Sequence, residues 1–167
     1  MAAYQQAAAA DPSLAEPLQR LGDLYAASGR CDLATPVFAR ALVADPRSTA
    51  VALALADCRL KDGQGAAAVT LLRRVLHDAP STPGIAYRLA RALHQTEGVA
   101  AAVPWYERAA RDAPTDPMPH YYLGYYYKDR GAAPRAIAEF RAYLARRPGA
   151  EDRADIEQEI EDLGGAR

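Results

Sequence analysis

Between Ala15 and Ser48 the apolar positions recur at helical spacing, break once, and recur again. Leu18, Leu21, Leu24 and Tyr25 share one face of a first segment; Leu33, Val37, Phe38, Ala41 and Leu42 share a face of a second. Ser28-Gly29-Arg30 separates the two, with glycine where a helix end needs a left-handed residue. The pattern predicts two antiparallel helices in a hairpin of 34 residues.

The same pattern returns three times. Pro12, Pro46, Pro80, Pro114 and Pro148 stand at one spacing of 34, although only 12 of the 167 residues are proline. Random placement would align them with a probability of roughly 10⁻⁵ to 10⁻⁴, so the period is a property of the chain. Each proline is placed to stop a helix and start the next hairpin. Ala34, Ala68, Ala102 and Ala136 form a column of small residues that lets two helices approach closely. Leu21, Leu55, Leu89 and Leu123 form a second column, followed by Gly22, Ala56, Ala90 and Gly124. Gly29, Gly63 and Gly131 mark the turns; the third repeat has Glu97 there and Gly98 one place later.

These columns resemble the tetratricopeptide repeat, W-x₂-L-G-x₂-Y…A-x₃-F…P. The first unit reads Leu18-x₂-Leu21-Gly22-x₂-Tyr25…Ala34-x₃-Phe38…Pro46, and the fourth His120-x₂-Leu123-Gly124-x₂-Tyr127…Ala136-x₃-Phe140…Pro148. The middle units depart from it, with Arg59 and Leu93 in the tyrosine column and Leu72 and Tyr106 in the phenylalanine column. No unit has tryptophan in the tryptophan column. The resemblance implies an all-α fold, a right-handed superhelical solenoid of stacked antiparallel hairpins whose first helices line a concave groove. Four units follow, at 15–48, 49–82, 83–116 and 117–150. Residues 1–14 are expected to form the second helix of a truncated repeat, because Tyr4 and Ala7 stand to Pro12 as Phe38 and Ala41 stand to Pro46. Residues 151–167 are expected to supply a capping helix and tail, with Ile156, Ile160 and Leu163 as one apolar stripe on an acidic helix. Pro36 and Pro104 fit if their helices begin near Asp32 and Ala100, with Asp32 as N-cap.

Composition adds mainly exclusions. A net charge of -1 gives no overall attraction to nucleic acid or to an anionic membrane. No apolar run approaches the ~20 residues that span a bilayer. No signal peptide is visible, which favours the cytoplasm, but the compartment stays open because a truncated N-terminus would have carried one. Cys31 and Cys58 are too few for a disulfide framework, and buried free thiols are the simpler expectation. His77, His94 and His120 fall in different hairpins, and no metal-ligand or catalytic motif occurs. His120 shares a column with Leu18, Ala52 and Ala86, which gives it a packing role. No catalytic residue, metal or cofactor is therefore expected.

The function expected from the resemblance is a non-enzymatic scaffold that binds a protein or peptide segment in the groove. The alternative is a structural or regulatory segment of a larger protein, self-associating through the N-terminal half-repeat. Helical phase sets Glu16, Asp23 and Asp57 at the early end of the groove. At the late end it sets Tyr87, Arg88, Arg91 and His94 from the third unit, and Tyr121, Tyr122, Tyr125 and Lys128 from the fourth. Arginine can grip a carboxylate with two parallel hydrogen bonds, and tyrosine offers a broad face with a polar tip. That set predicts an acidic or carboxylate-terminated peptide. Tyr126 and Tyr127 are expected in the core beside Leu123. The Lys/Asn clamp by which some members of the family hold a C-terminal carboxylate is not carried over, since the chain contains no asparagine.

Overall fold

The computed structural model describes Tyr4, Gln6 and residues 14–164. Among these there are nine α-helices and no strand: α1 (Ala15–Ala27), α2 (Cys31–Ala44), α3 (Thr49–Lys61), α4 (Gly65–Asp78), α5 (Ile85–Glu97), α6 (Val99–Asp112), α7 (Met118–Asp129), α8 (Ala133–Arg146) and α9 (Arg153–Asp162). Each helix packs on its neighbours in sequence, and α3 also touches α1 and α5, so the first helices of successive hairpins form an inner row. The result is an all-α solenoid of four hairpins closed by α9. No described helix is long and apolar enough to cross a membrane.

The repeating columns are the core. Ala34, Ala68, Ala102 and Ala136 are all fully buried, as are Phe38, Leu72, Tyr106 and Phe140. Gly22 and Gly124 are small for a direct reason: a Cβ on either would lie 2.5 Å from a ring carbon of Phe38 or Phe140. Where the ring column holds Leu72 or Tyr106, the small column holds Ala56 or Ala90. Pro46, Pro80, Pro114 and Pro148 each stand two residues beyond a helix end. Two of these turns are tied from the next repeat, because Arg108 donates to the Pro80 carbonyl and Arg146 to the Pro114 carbonyl.

Of the local expectations, the N-cap of α2 needs correction. Helix α2 begins at Cys31 with Arg30 as N-cap, and no side chain caps it. Asp32 lies inside that helix and pairs with Arg30. Pro36 and Pro104 are each the sixth residue of their helices, so each removes one interior backbone hydrogen bond. In the third unit α5 runs on through Glu97, and Gly98 (φ 88°, ψ 168°) alone joins it to α6, a conformation that only glycine adopts without strain. Cys31 and Cys58 are buried free thiols. The capping helix spans 153–162, with Ile156 and Ile160 buried against α8. The expected half-repeat over 1–14 lies outside the described residues except for Leu14 and for Tyr4 and Gln6, which are helical and exposed.

Candidate functional site

Ring and cation contacts link seven of the eight predicted groove residues, in two groups, and leave out Arg88. The first group surrounds Tyr106. Its ring is fully buried, and Tyr122 stacks on it with centroids 4.7 Å apart and planes 13° apart. Tyr87 lies against both, at 6.2 and 6.5 Å, and the His94 ring stands edge-on to both Tyr106 and Tyr122. Tyr122, Tyr106 and His94, with Arg91, Gln95 and Leu60, bound a shallow recess of about 210 Å³. That is below the volume usual for drug-sized ligands and suits a single side chain.

The polar groups of this recess have fixed states. Burial raises the Tyr106 and Tyr87 phenols well above their ordinary value, so both hydroxyls stay protonated. Burial lowers the His94 imidazole, so it is neutral near pH 7 and does not add the charge its sequence position suggests. The buried Tyr106 hydroxyl lies 3.2 Å from His94 Nδ1. Donation from that hydroxyl to Nδ1 satisfies both and leaves the proton on Nε2.

The arginines divide. Arg88 Nε donates to both carboxylate oxygens of Asp57 on α3, at 3.0 and 2.9 Å, which ties it to the preceding hairpin. Arg91 lies over the face of Tyr87, 5.9 Å from the ring centroid, and no carboxylate of the described residues pairs with it. Arg91 is therefore the one cation lining the recess, and no carboxylate among the described residues neutralises it.

The second group faces the cap. Tyr121 packs edge-on to Tyr143 and Tyr125, and Tyr125 edge-on to Phe140. Lys128 lies over the Tyr125 ring and pairs with Glu159 of α9, and the Tyr143 hydroxyl donates to Asp152. The late end of the groove is thus closed by carboxylates, not left basic, and Lys128 is neutralised within the fold. Burial, then the neighbouring Tyr121 and Glu159, push the Tyr125 phenol up to about 12. Tyr127 packs on the core as expected and donates to Glu107, whereas Tyr126 belongs to neither core cluster and carries Arg130 over its ring.

His120 does more than pack: it is largely buried, and its Nδ1 lies 2.6 Å from Glu139 on α8. Tyr106 has a second role that its core column does not announce. It stands one turn along α6 from Ala102 and faces the groove helices, which makes it the recess floor as well.

These shifts predict a pH response. The folded-state phenol values of Tyr87, Tyr106 and Tyr125 lie above the unfolded value near 10, so these phenols leave stability unchanged below pH 10 and lower it as pH rises through and beyond that value. Absorbance titration at 295 nm should show a late class, which includes Tyr87, Tyr106 and Tyr125, ionising only with loss of helical circular dichroism. A single wave near pH 10 on a still helical protein would contradict the buried assignments.

The repeat columns and the stacked hairpins agree with what the family model finds. Two overlapping matches to the tetratricopeptide repeat model cover residues 19–83 and 53–117, more than half of the chain. The chain belongs to the tetratricopeptide repeat family. Its fold is similar to that of several solved tetratricopeptide structures. MamA matches with a TM-score of 0.79 at 21% identity, over 87% of this chain and 85% of that one. YrrB, described as a TPR protein with an unusual peptide-binding site, matches at 0.73 and 17%, over 96% and 86%. TTC0263, a thermophilic TPR protein of Thermus thermophilus, matches at 0.67 and 25%, over 90% and 81%. The first two likenesses, at these identities, are of fold. No curated protein matches the chain. Tetratricopeptide proteins are in general non-enzymatic scaffolds that bind proteins or peptides.

Proposed function

We propose that this chain is a scaffold whose groove holds a peptide or protein segment at the third and fourth repeats, through an acidic side chain or free carboxylate set on Arg91. The observation that carries this reading is Arg91 itself: a guanidinium with no carboxylate partner among the described residues, held over Tyr87 at the rim of an aromatic recess. A ligand carboxylate would complete its charge, and Tyr122 and Leu60 would flank an apolar neighbour. Arg88 and Lys128 drop out as direct contacts because Asp57 and Glu159 already hold them.

The test is affinity capture from cell extract with the wild type, Arg91→Ala and Asp23→Ala side by side. Arg91→Ala should lose the bound segment while melting like the wild type, and Asp23→Ala, at the far end, should keep it. Full retention of every partner by Arg91→Ala would reject the site.

A further inference from the structure

His94 is held at one ring nitrogen and open at the other. Its Nδ1 lies 3.2 Å from the Tyr106 hydroxyl, and its ring is set edge-on against Tyr106 and Tyr122, with centroids 6.2 and 5.5 Å away. Nε2 has no hydrogen-bond partner among the described residues, and it is not sealed in the core as the unpartnered Nε2 of His120 is. His94 lines the recess together with Arg91, three residues earlier on α5. Side chains at that spacing are neighbours on a helix face. The Gln95 amide, the third polar group on this edge, already donates to the Leu60 carbonyl.

We infer that the ligand carboxylate set on Arg91 also accepts a hydrogen bond from His94 Nε2, and that His94 takes up a proton as the ligand docks, so the recess holds an acidic segment more tightly near pH 6 than near pH 8. The inference rests on the reading of the recess as a carboxylate site and adds its regulation by pH.

The charges around His94 favour this coupling. No acidic side chain lines the recess: α3 supplies Leu60, α6 the Tyr106 phenol, α7 the Tyr122 phenol, and α5 Arg91 and Gln95. Helix α4 packs on α5 and places no side chain there. Nearby carboxylates on these elements are engaged or solvated: Asp57 is bound to Arg88, Glu107 accepts from Tyr127, and Asp62 and Glu97 are exposed, as is Lys61. In the empty recess burial alone acts on the imidazole and keeps it neutral. A second cation beside Arg91 gains a counter-charge only when a ligand brings one. The ligand carboxylate then favours the charged ring, which offers Nε2–H as a charge-assisted donor. Nδ1 keeps its partner throughout, because the Tyr106 hydroxyl donates to the neutral ring and accepts from the charged one. The complex therefore binds more protons than the free chain, and affinity rises as pH falls.

A random dodecapeptide library, panned on the full immobilised chain near pH 6, supplies the probe. A selected peptide that contains no histidine should bind about fivefold more tightly near pH 6 than near pH 8 in calorimetric titration, with uptake of part of a proton when two buffers of different ionisation heat are compared. His94→Gln keeps an N–H donor and cannot titrate, so its affinity should be the same at both pH values. Nuclear magnetic resonance of the His94 ring follows the same event in the wild type: its titration midpoint should move up when the peptide is added. That measurement decides the matter if His94→Gln does not fold. An unmoved midpoint, equal wild-type affinity at both pH values, or a pH dependence that survives His94→Gln would overturn the proton coupling; loss of the peptide by Arg91→Ala would then leave the carboxylate reading standing. Selection of no peptide, or only of peptides indifferent to Arg91→Ala, would overturn both.

Discussion

Phe140→Ala is expected to destabilise the fold by about 3–5 kcal/mol, as large-to-small changes of buried aromatic residues do. The ring is fully buried, supports Tyr125, and lies in the cluster that also holds Ile156 and Ile160 of the cap. The partner change is more informative. Gly124→Ala would bring a methyl to 2.5 Å from the same ring and should cost about 1–3 kcal/mol by overpacking. The second repeat shows one compensated form, Ala56 with Leu72, although the third keeps Ala90 with the Tyr106 ring. Phe140→Leu should therefore restore part of what Gly124→Ala loses, and the double variant should be more stable than additivity allows. Urea melts of the two single variants and the double variant give this coupling. A purely additive cycle would mean that the small column is not set by the ring opposite.

Arg91→Ala should weaken a groove ligand by about 2–5 kcal/mol, because it strands a carboxylate that docking removes from water. Arg91→Lys keeps the charge but loses the planar fork, so it should fall between alanine and wild type. Calorimetric titration of a captured or selected peptide measures all three. Because Arg91 touches an aromatic face and no carboxylate among the described residues, the melting temperature should move little, which separates lost binding from lost folding. Equal affinity of alanine and wild type would place the carboxylate elsewhere.

The 34-residue period makes the hairpins and the core columns legible in the sequence, since both depend only on spacing along the chain. Contacts between helices are harder to read. Arg88 and Asp57 both fall on the groove by helical phase, yet nothing in phase says that the offset between α3 and α5 brings them to 2.9 Å. The pairing of Lys128 with Glu159 is hidden more deeply, because α9 follows Pro148 without continuing the repeat and its register cannot be extrapolated. Tyr106 belongs to a core column, and that column gives no hint that its face floors the recess. Tyr126 escapes the core because a run of three tyrosines at 125–127 outnumbers the positions that one helix face can bury.

The buried side chains form two clusters, one running from Leu18 to Leu123 and one joining Ala136, Phe140 and Tyr143 to the cap; Tyr127 packs on both. A quasi-linear fold with such a seam has a built-in order of opening: α7, α8 and α9 can detach as one cooperative unit while the first three hairpins remain closed. The groove tyrosines straddle that seam, with Tyr87 and Tyr122 on one cluster and Tyr121 and Tyr125 on the other. A segment lying in the groove across these tyrosines would act as a splint across the two units. Its binding energy would then be felt as cooperativity, with amide exchange in α7, α8 and α9 slowed toward the rate of the main body.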